Sequence, residues 1–214
     1  MIAENLKFIQ KKITEGVFLV AVSKTKTQED ILETYAAGQR IFGENKAQEL
    51  AEKAATLPKD IQWHMIGHLQ TKKVKYIAPF VSLIHGVDSL KLLQEINKRA
   101  QQNNRTIDCL LQLHIAQEST KFGLNEEEVK SVLEAAKELD HIRIIGLMGM
   151  ATFTSDEAQI RKEFSGLKSS FDRLQKDKPL LQTLSMGMSG DYQIAMEEGS
   201  TMVRVGSAIF GSRQ

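Results

Sequence analysis

Lys24 is the residue of this 214-residue chain whose type and setting carry the clearest reactive chemistry. It follows the apolar run Phe18-Leu19-Val20-Ala21-Val22 and Ser23, and Lys26 stands two positions further on. An unbroken run of strand-forming residues is the pattern of a strand buried on both faces. A lysine just past the carboxyl end of such a strand sits where α/β barrels place their chemistry. Partial desolvation and a neighbouring positive charge both lower an amine's pKa, leaving more of it neutral and nucleophilic. The natural use of that amine is a Schiff base with an aldehyde or ketone. A lone lysine at a helix start is more commonly a solvated loop charge, so the rest of the chain has to decide.

Two small-residue loops near the carboxyl terminus suggest phosphate. Ser185-Met186-Gly187-Met188-Ser189-Gly190 leads into a helical pattern, so backbone N–H groups and the Ser189 hydroxyl can face an anion. Val205-Gly206-Ser207 offers the same device. Either loop alone reads equally well as an ordinary turn. Together they fall after the seventh and eighth strands, where barrels often bind phosphate. Arg204 lies between them, and a phosphate, a ligand ring nitrogen, or a carboxylate such as Glu197 or Glu198 would each suit it. Beside a pyridine nitrogen its charge would keep that nitrogen unprotonated. His64, His68, His85, His114 and His141 are scattered without metal-ligand spacing, and no Ser-His-Asp order or nucleophile elbow is present, so no metal site is expected.

These residues need a frame that brings strand ends together. Strands are predicted over 17–22, 40–43, 61–66, 81–84, 107–115, 142–148, 183–186 and 202–205, with helical segments between them and one ahead, over 2–14. Thr27 and Asn125 are the expected N-caps of helices over 27–37 and 126–139. Further helices are predicted from 44–45 to about 55, opening at 67–70, from the 87–89 cap to 103, and over 155–174 and 189–198, while 207–210 begins the closing segment. Eight strands alternating with helices point to a single (β/α)8 barrel of the TIM type, residues 1–214 in one domain, with an additional N-terminal helix. A glycine-rich dinucleotide fingerprint and a Walker loop are both missing, which weakens an open nucleotide-binding sheet.

Composition sets the outer bounds. Apolar residues make up 42% and charged residues 26%, ordinary for a globular protein, and a net charge of +1 argues against a general nucleic-acid or acidic-membrane binder. The one cysteine, Cys109, lies in an apolar run and reads as a buried strand thiol. The amino terminus is too charged for a signal peptide and no apolar run approaches membrane-spanning length, so a cytoplasmic protein is expected. Without a coiled-coil seam or an unpaired apolar stripe, a monomer is expected.

Five ordered motifs extend the reading: Ala21-Val22-Ser23-Lys24-Thr25-Lys26, Phe42-Gly43-Glu44-Asn45, Trp63-His64-Met65-Ile66-Gly67-His68-Leu69-Gln70, Ser185-Met186-Gly187-Met188-Ser189 and Gly199-Ser200-Thr201-Met202-Val203-Arg204-Val205-Gly206. Across essentially the whole chain the sequence resembles the YggS/PROSC family of pyridoxal phosphate homeostasis proteins. The resemblance implies the barrel of the alanine racemase N-terminal domain (fold type III) and pyridoxal 5'-phosphate as the bound cofactor. It places the Schiff-base lysine on Lys24, the phosphate on Ser189, Gly206 and Ser207, Arg204 near the pyridine nitrogen, and Asn45 near the ring. The function implied is non-catalytic handling of the cofactor within the cell, with pyridoxal-dependent apo-enzymes as candidate recipients. Lys72, Gly86, His114 and Gly190 depart from the commoner family pattern, leaving Lys24, Ser189, Gly206 and Ser207 themselves unchanged.

The alternative is a pyridoxal-dependent amino-acid racemase. Racemases with this barrel carry a second, β-rich domain that supplies a catalytic tyrosine, and the chain ends at Gln214 a few residues past the eighth strand. Racemisation needs a base on each face of the α-carbon, and Lys24 supplies one. Tyr35, Tyr76 and Tyr192 all read as helix residues, although one near a loop would still reach the site.

Overall fold

The computed structural model describes residues 1–211. Its strands are β1 (Phe18–Val22), β2 (Ile41–Glu44), β3 (Gln62–Met65), β4 (Leu83–Val87), β5 (Ile107–Gln112), β6 (Ile142–Met148), β7 (Thr183–Ser185) and β8 (Met202–Val205). They close into a barrel in sequence order, every neighbouring pair parallel, with β8 pairing back onto β1. The helices are α1 (Ile2–Lys12), α2 (Gln28–Ala36), α3 (Ala47–Thr56), α4 (Val74–Ile77), α5 (Leu90–Gln102), α6 (Glu126–Ala135), α7 (Glu157–Asp177), α8 (Tyr192–Glu197) and α9 (Ser207–Phe210). Among the described residues, no helix is long and apolar enough to cross a membrane.

Side-chain alternation along each strand builds two cores. Leu19 and Ala21 of β1 pack outward against the helices with Phe42, Trp63 and Val203. Val20 and Val22 point into the barrel, where they meet Ile66, Leu83, Leu110, Met148 and Met202. Both faces of β1 are therefore apolar, which accounts for its continuous hydrophobic run.

The expected caps form. Thr27 and Asp30 make a capping box at the start of α2, and Asn125 and Glu128 make another at α6. The helix expected over 126–139 tightens into a 3-10 turn at Ala136–Glu138. That expected over 155–174 starts after the Asp156 cap and runs on to Asp177.

Three segments depart more sharply. The helix expected to open at 67–70 is instead irregular chain that bends at Gly67, with Leu69 buried, followed by the 3-10 turn Thr71–Lys73 and the single turn of α4. The fourth strand lies later than 81–84: the Val81 N–H still bonds back to the Ile77 carbonyl, while His85 and Gly86 are inside β4. A polar side chain such as His85 reads as a strand end, yet here a partner network inside the barrel satisfies it. The helix expected from 189 begins only at Tyr192; residues 189–191 form a turn in which the Met188 N–H bonds to Asp191 Oδ1.

Candidate functional site

The carboxyl ends of the strands surround a cavity of about 580 Å³. Lys24, Asn45, Ser189, Arg204, Gly206 and Ser207, the residues singled out in the sequence, all line it. Lys24 stands two residues past β1 and is half-buried. Asn45 follows β2, and its backbone is pressed against Gly67: a Cβ there would lie 2.5 Å from the Asn45 carbonyl oxygen. Ser189 and Gly206 meet directly, the Gly206 N–H donating to Ser189 Oγ at 3.1 Å. The Ser189 hydroxyl is therefore an inter-loop tie rather than the first residue of a helix.

Arg204 is buried at the base of the cavity. Its Nη1 donates to the Ser185 carbonyl at 3.0 Å and to Ser185 Oγ, and its Nη2 to the Gly149 carbonyl at 3.2 Å. Glu197 and Glu198 are not its partners; both pair with Arg161 on the outside of the barrel. Burial lowers the Arg204 pKa to about 10, with the nearby Asp191 charge working the other way, so the guanidinium stays cationic at neutral pH. Asp191 is held above the usual carboxylate range by its own burial, the Met188 N–H and Arg204 opposing.

Sequence reasoning missed several parts of this site. Ser185 Oγ lies 3.0 Å from His85 Nδ1, and His85 Nε2 lies 3.0 Å from His64 Nδ1. A hydrogen-bonded chain thus crosses the barrel interior from Arg204 through Ser185 and His85 to His64. Burial holds His64 down at about 3, and burial with the His64 and Arg204 charges holds His85 well below its ordinary value, so both rings are neutral. At the rim, His68 Nδ1 lies 3.1 Å from Asp88 Oδ2 and its ring stacks on Phe122 with centroids 3.8 Å apart. Gln112, the last residue of β5, lines the cavity; extending that strand to 115 drew attention to His114 instead, which is exposed and outside it.

Among the described residues, Lys24, Lys26, Lys121 and Arg204 line the cavity together with one carboxylate, Asp191, an electrostatic setting that favours an anion. The Lys26 ammonium donates to the Phe210 and Gly211 carbonyls at 3.1 and 3.4 Å, anchoring the β1–α2 loop to α9. None of Tyr35, Tyr76 and Tyr192 lines the cavity; Tyr35 bonds to Asp60 and Tyr192 is packed in the core.

A sequence profile of the alanine racemase N-terminal domain matches residues 1–214. A pyridoxal phosphate homeostasis protein of Aquifex aeolicus is 40% identical over 198 residues, covering 92% of this chain and 87% of its own. One from Pasteurella multocida is 36% identical over 227 residues, covering 99% and 97%. The chain belongs to this family. PipY of Synechococcus elongatus, solved with PLP bound, superposes with a TM-score of 0.91 at 35% identity, covering 99% of this chain and 100% of PipY. An alanine racemase from Bartonella henselae shares the fold, with a TM-score of 0.74 at 16% identity, and this chain spans 60% of its length.

Within the pyridoxal phosphate homeostasis family, the four departures noted in the sequence fall in different places. Gly190 lines the cavity, with open space where a Cβ would be. Lys72 is exposed on the 3-10 turn, outside the cavity lining, as is His114. Gly86 is a packing position: a Cβ would lie 2.8 Å from the Gly67 carbonyl oxygen.

Proposed function

We propose that this chain binds pyridoxal 5'-phosphate reversibly through Lys24 and helps control its free concentration, without turnover of its own. The observation that carries this reading is the convergence of the Lys24 amine, the Ser189–Gly206 junction and the Arg204 guanidinium on one cavity. Relatives at 36–40% identity bear the name pyridoxal phosphate homeostasis protein, and PipY has been solved with PLP bound.

The residues fit such a group. Arg204 is a buried cation that makes no ion pair with a carboxylate among the described residues. Desolvating a charge that has no carboxylate in direct contact is costly, so its setting suits an acceptor supplied by a ligand. When bound, pyridoxal phosphate supplies an aldehyde that condenses reversibly with an amine, and a phosphate that is anchored separately. Lys24 offers the amine, while Ser189, Gly206 and Ser207 are placed to hold the phosphate and Asn45 to border the ring. Arg204, cationic at neutral pH, keeps an adjacent ring nitrogen unprotonated. That makes a poor electron sink, as suits storage better than amino-acid chemistry. On this reading the protein acts in the cytosol as a monomer and passes its cofactor to pyridoxal-dependent apo-enzymes.

The deciding experiment is a visible spectrum of the purified protein, then borohydride reduction and peptide mass mapping. A pyridoxyl mass on Lys24, and loss of the visible band with added amino acids but no racemised product, supports the proposal. Sustained turnover would favour an enzyme, and failure to take up added pyridoxal phosphate would overturn the cofactor assignment.

A further inference from the structure

The backbone on both sides of Lys24 is gripped by one cluster that lies outside the cavity. Ser23 Oγ donates to Glu44 Oε1 at 2.6 Å, and the Ser23 carbonyl accepts from Lys53 Nζ at 2.8 Å. On the other side, the Thr25 N–H donates to Glu49 Oε1 at 2.6 Å. Lys53 joins the two halves, donating to Glu44 Oε1 at 2.8 Å and Glu49 Oε1 at 2.7 Å. An ammonium has three protons, and these three acceptors use all of them. Glu44 is fully buried and Lys53 is 7% exposed. None of Glu44, Glu49 and Lys53 lines the cavity.

We infer that Glu49 and Lys53 of α3, with Glu44 of β2, are positioning residues that fix the backbone flanking Lys24 and so aim its amine into the cavity. The inference rests on the proposed attachment of pyridoxal phosphate at Lys24. Two features argue that the cluster serves geometry rather than stability. Thr25 has φ +64°, in the left-handed region that a β-branched residue avoids. Its N–H bond to Glu49 holds that conformation in place directly after Lys24. Glu44 also keeps its second oxygen, Oε2, buried with no hydrogen-bond partner among the described residues. A well-packed apolar side chain would serve stability at least as well as a buried ion pair, whereas the charged cluster specifies positions. Condensation joins the Lys24 nitrogen to the aldehyde carbon and releases one water, and its rate depends on how narrowly the amine's approach is confined.

The test compares wild type, E49A, E49Q and K53M in two measurements. The first is the rate at which visible absorbance grows on mixing unloaded protein with pyridoxal 5'-phosphate. The second is calorimetric affinity for pyridoxine 5'-phosphate, which has the ring and phosphate but no aldehyde. E49A and K53M should slow attachment by at least about ten-fold, the scale expected when a reacting group is misplaced. Their affinity for pyridoxine 5'-phosphate should stay at the wild-type value, and E49Q, which keeps the acceptor oxygen, should restore most of the rate. Attachment at the wild-type rate in E49A and K53M overturns the inference. So does a parallel loss of pyridoxine 5'-phosphate affinity, which would mark a general collapse of the cavity. Wild-type protein that takes up no pyridoxal phosphate overturns the underlying functional reading instead.

Discussion

The Ser189 hydroxyl accepts the Gly206 N–H at 3.1 Å, so the loop after β7 and the loop after β8 act as one unit at the cavity wall. Neither loop forms a long helix start: α8 begins three residues past Ser189, and α9 is a single turn. An anion held here depends on that junction more than on a helix dipole.

Replacing Ser189 with alanine should therefore loosen phosphate retention while leaving the reactive amine intact. One hydrogen bond is worth roughly 1 kcal/mol net, so release should accelerate about five-fold. Replacing Ser207 as well should add to the effect. Stopped-flow release of pyridoxal phosphate into an apo-enzyme trap reads this directly, and an unchanged release rate in the double variant would remove both serines from the phosphate site.

The His64–His85 pair gives the fold a pH dependence of definite sign. Burial holds His64 at about 3 and His85 well below its ordinary value, whereas both titrate near 6.5 once unfolded. Below pH 6.5 the unfolded chain binds protons that the folded chain refuses, so stability is full above that pH and falls on acidification towards 3. Each histidine contributes up to about 1.4 kcal/mol per pH unit in this window. Glu44, raised by burial with Lys53 and Ser23 opposing, acts in the opposite sense and blunts the loss. Urea midpoints between pH 7.5 and 5 should drop, and the drop should be smaller in a His64→Gln, His85→Gln variant. Equal slopes would mean that these rings do not stay neutral.

Cys109 is fully buried in β5, and desolvation with the Asp108 charge beside it pushes its thiol up, away from the reactive thiolate. A thiol reagent at pH 8 should label it only as fast as the protein unfolds, and stoichiometrically in urea. Rapid labelling of the native protein would place this side chain at a surface.

Much of this was legible in the sequence because strand ends announce themselves. The edges of β6 and β8 fall where the apolar runs start and stop, and Lys24, Arg204 and Gly206 stand at or just past such edges. The fourth strand failed because His85 interrupts its run, and only the distant Ser185 and His64 explain why a histidine belongs there. Glu49 and Lys53 were hidden for a related reason. Their i,i+4 spacing reads as a solvent-facing helix pair, yet Lys53 turns inward to a carbonyl thirty residues earlier. A spacing rule describes one helix and cannot report what that helix packs against.

Lys24→Ala separates the two kinds of hold proposed for the cavity. The amine follows β1, while Ser189, Gly206 and Ser207 stand across the barrel seam after β7 and β8. Removing the amine should abolish the borohydride-reducible attachment and leave weaker, reversible binding through the phosphate. Equilibrium dialysis of the variant with pyridoxal 5'-phosphate should still find saturable binding, which inorganic phosphate competes away. Pyridoxal without its phosphate should bind the variant far less. If borohydride still fixes one pyridoxyl group per chain in Lys24→Ala, the attachment point lies elsewhere. Lys26 would then be the first place to map, since it lines the same cavity two residues on.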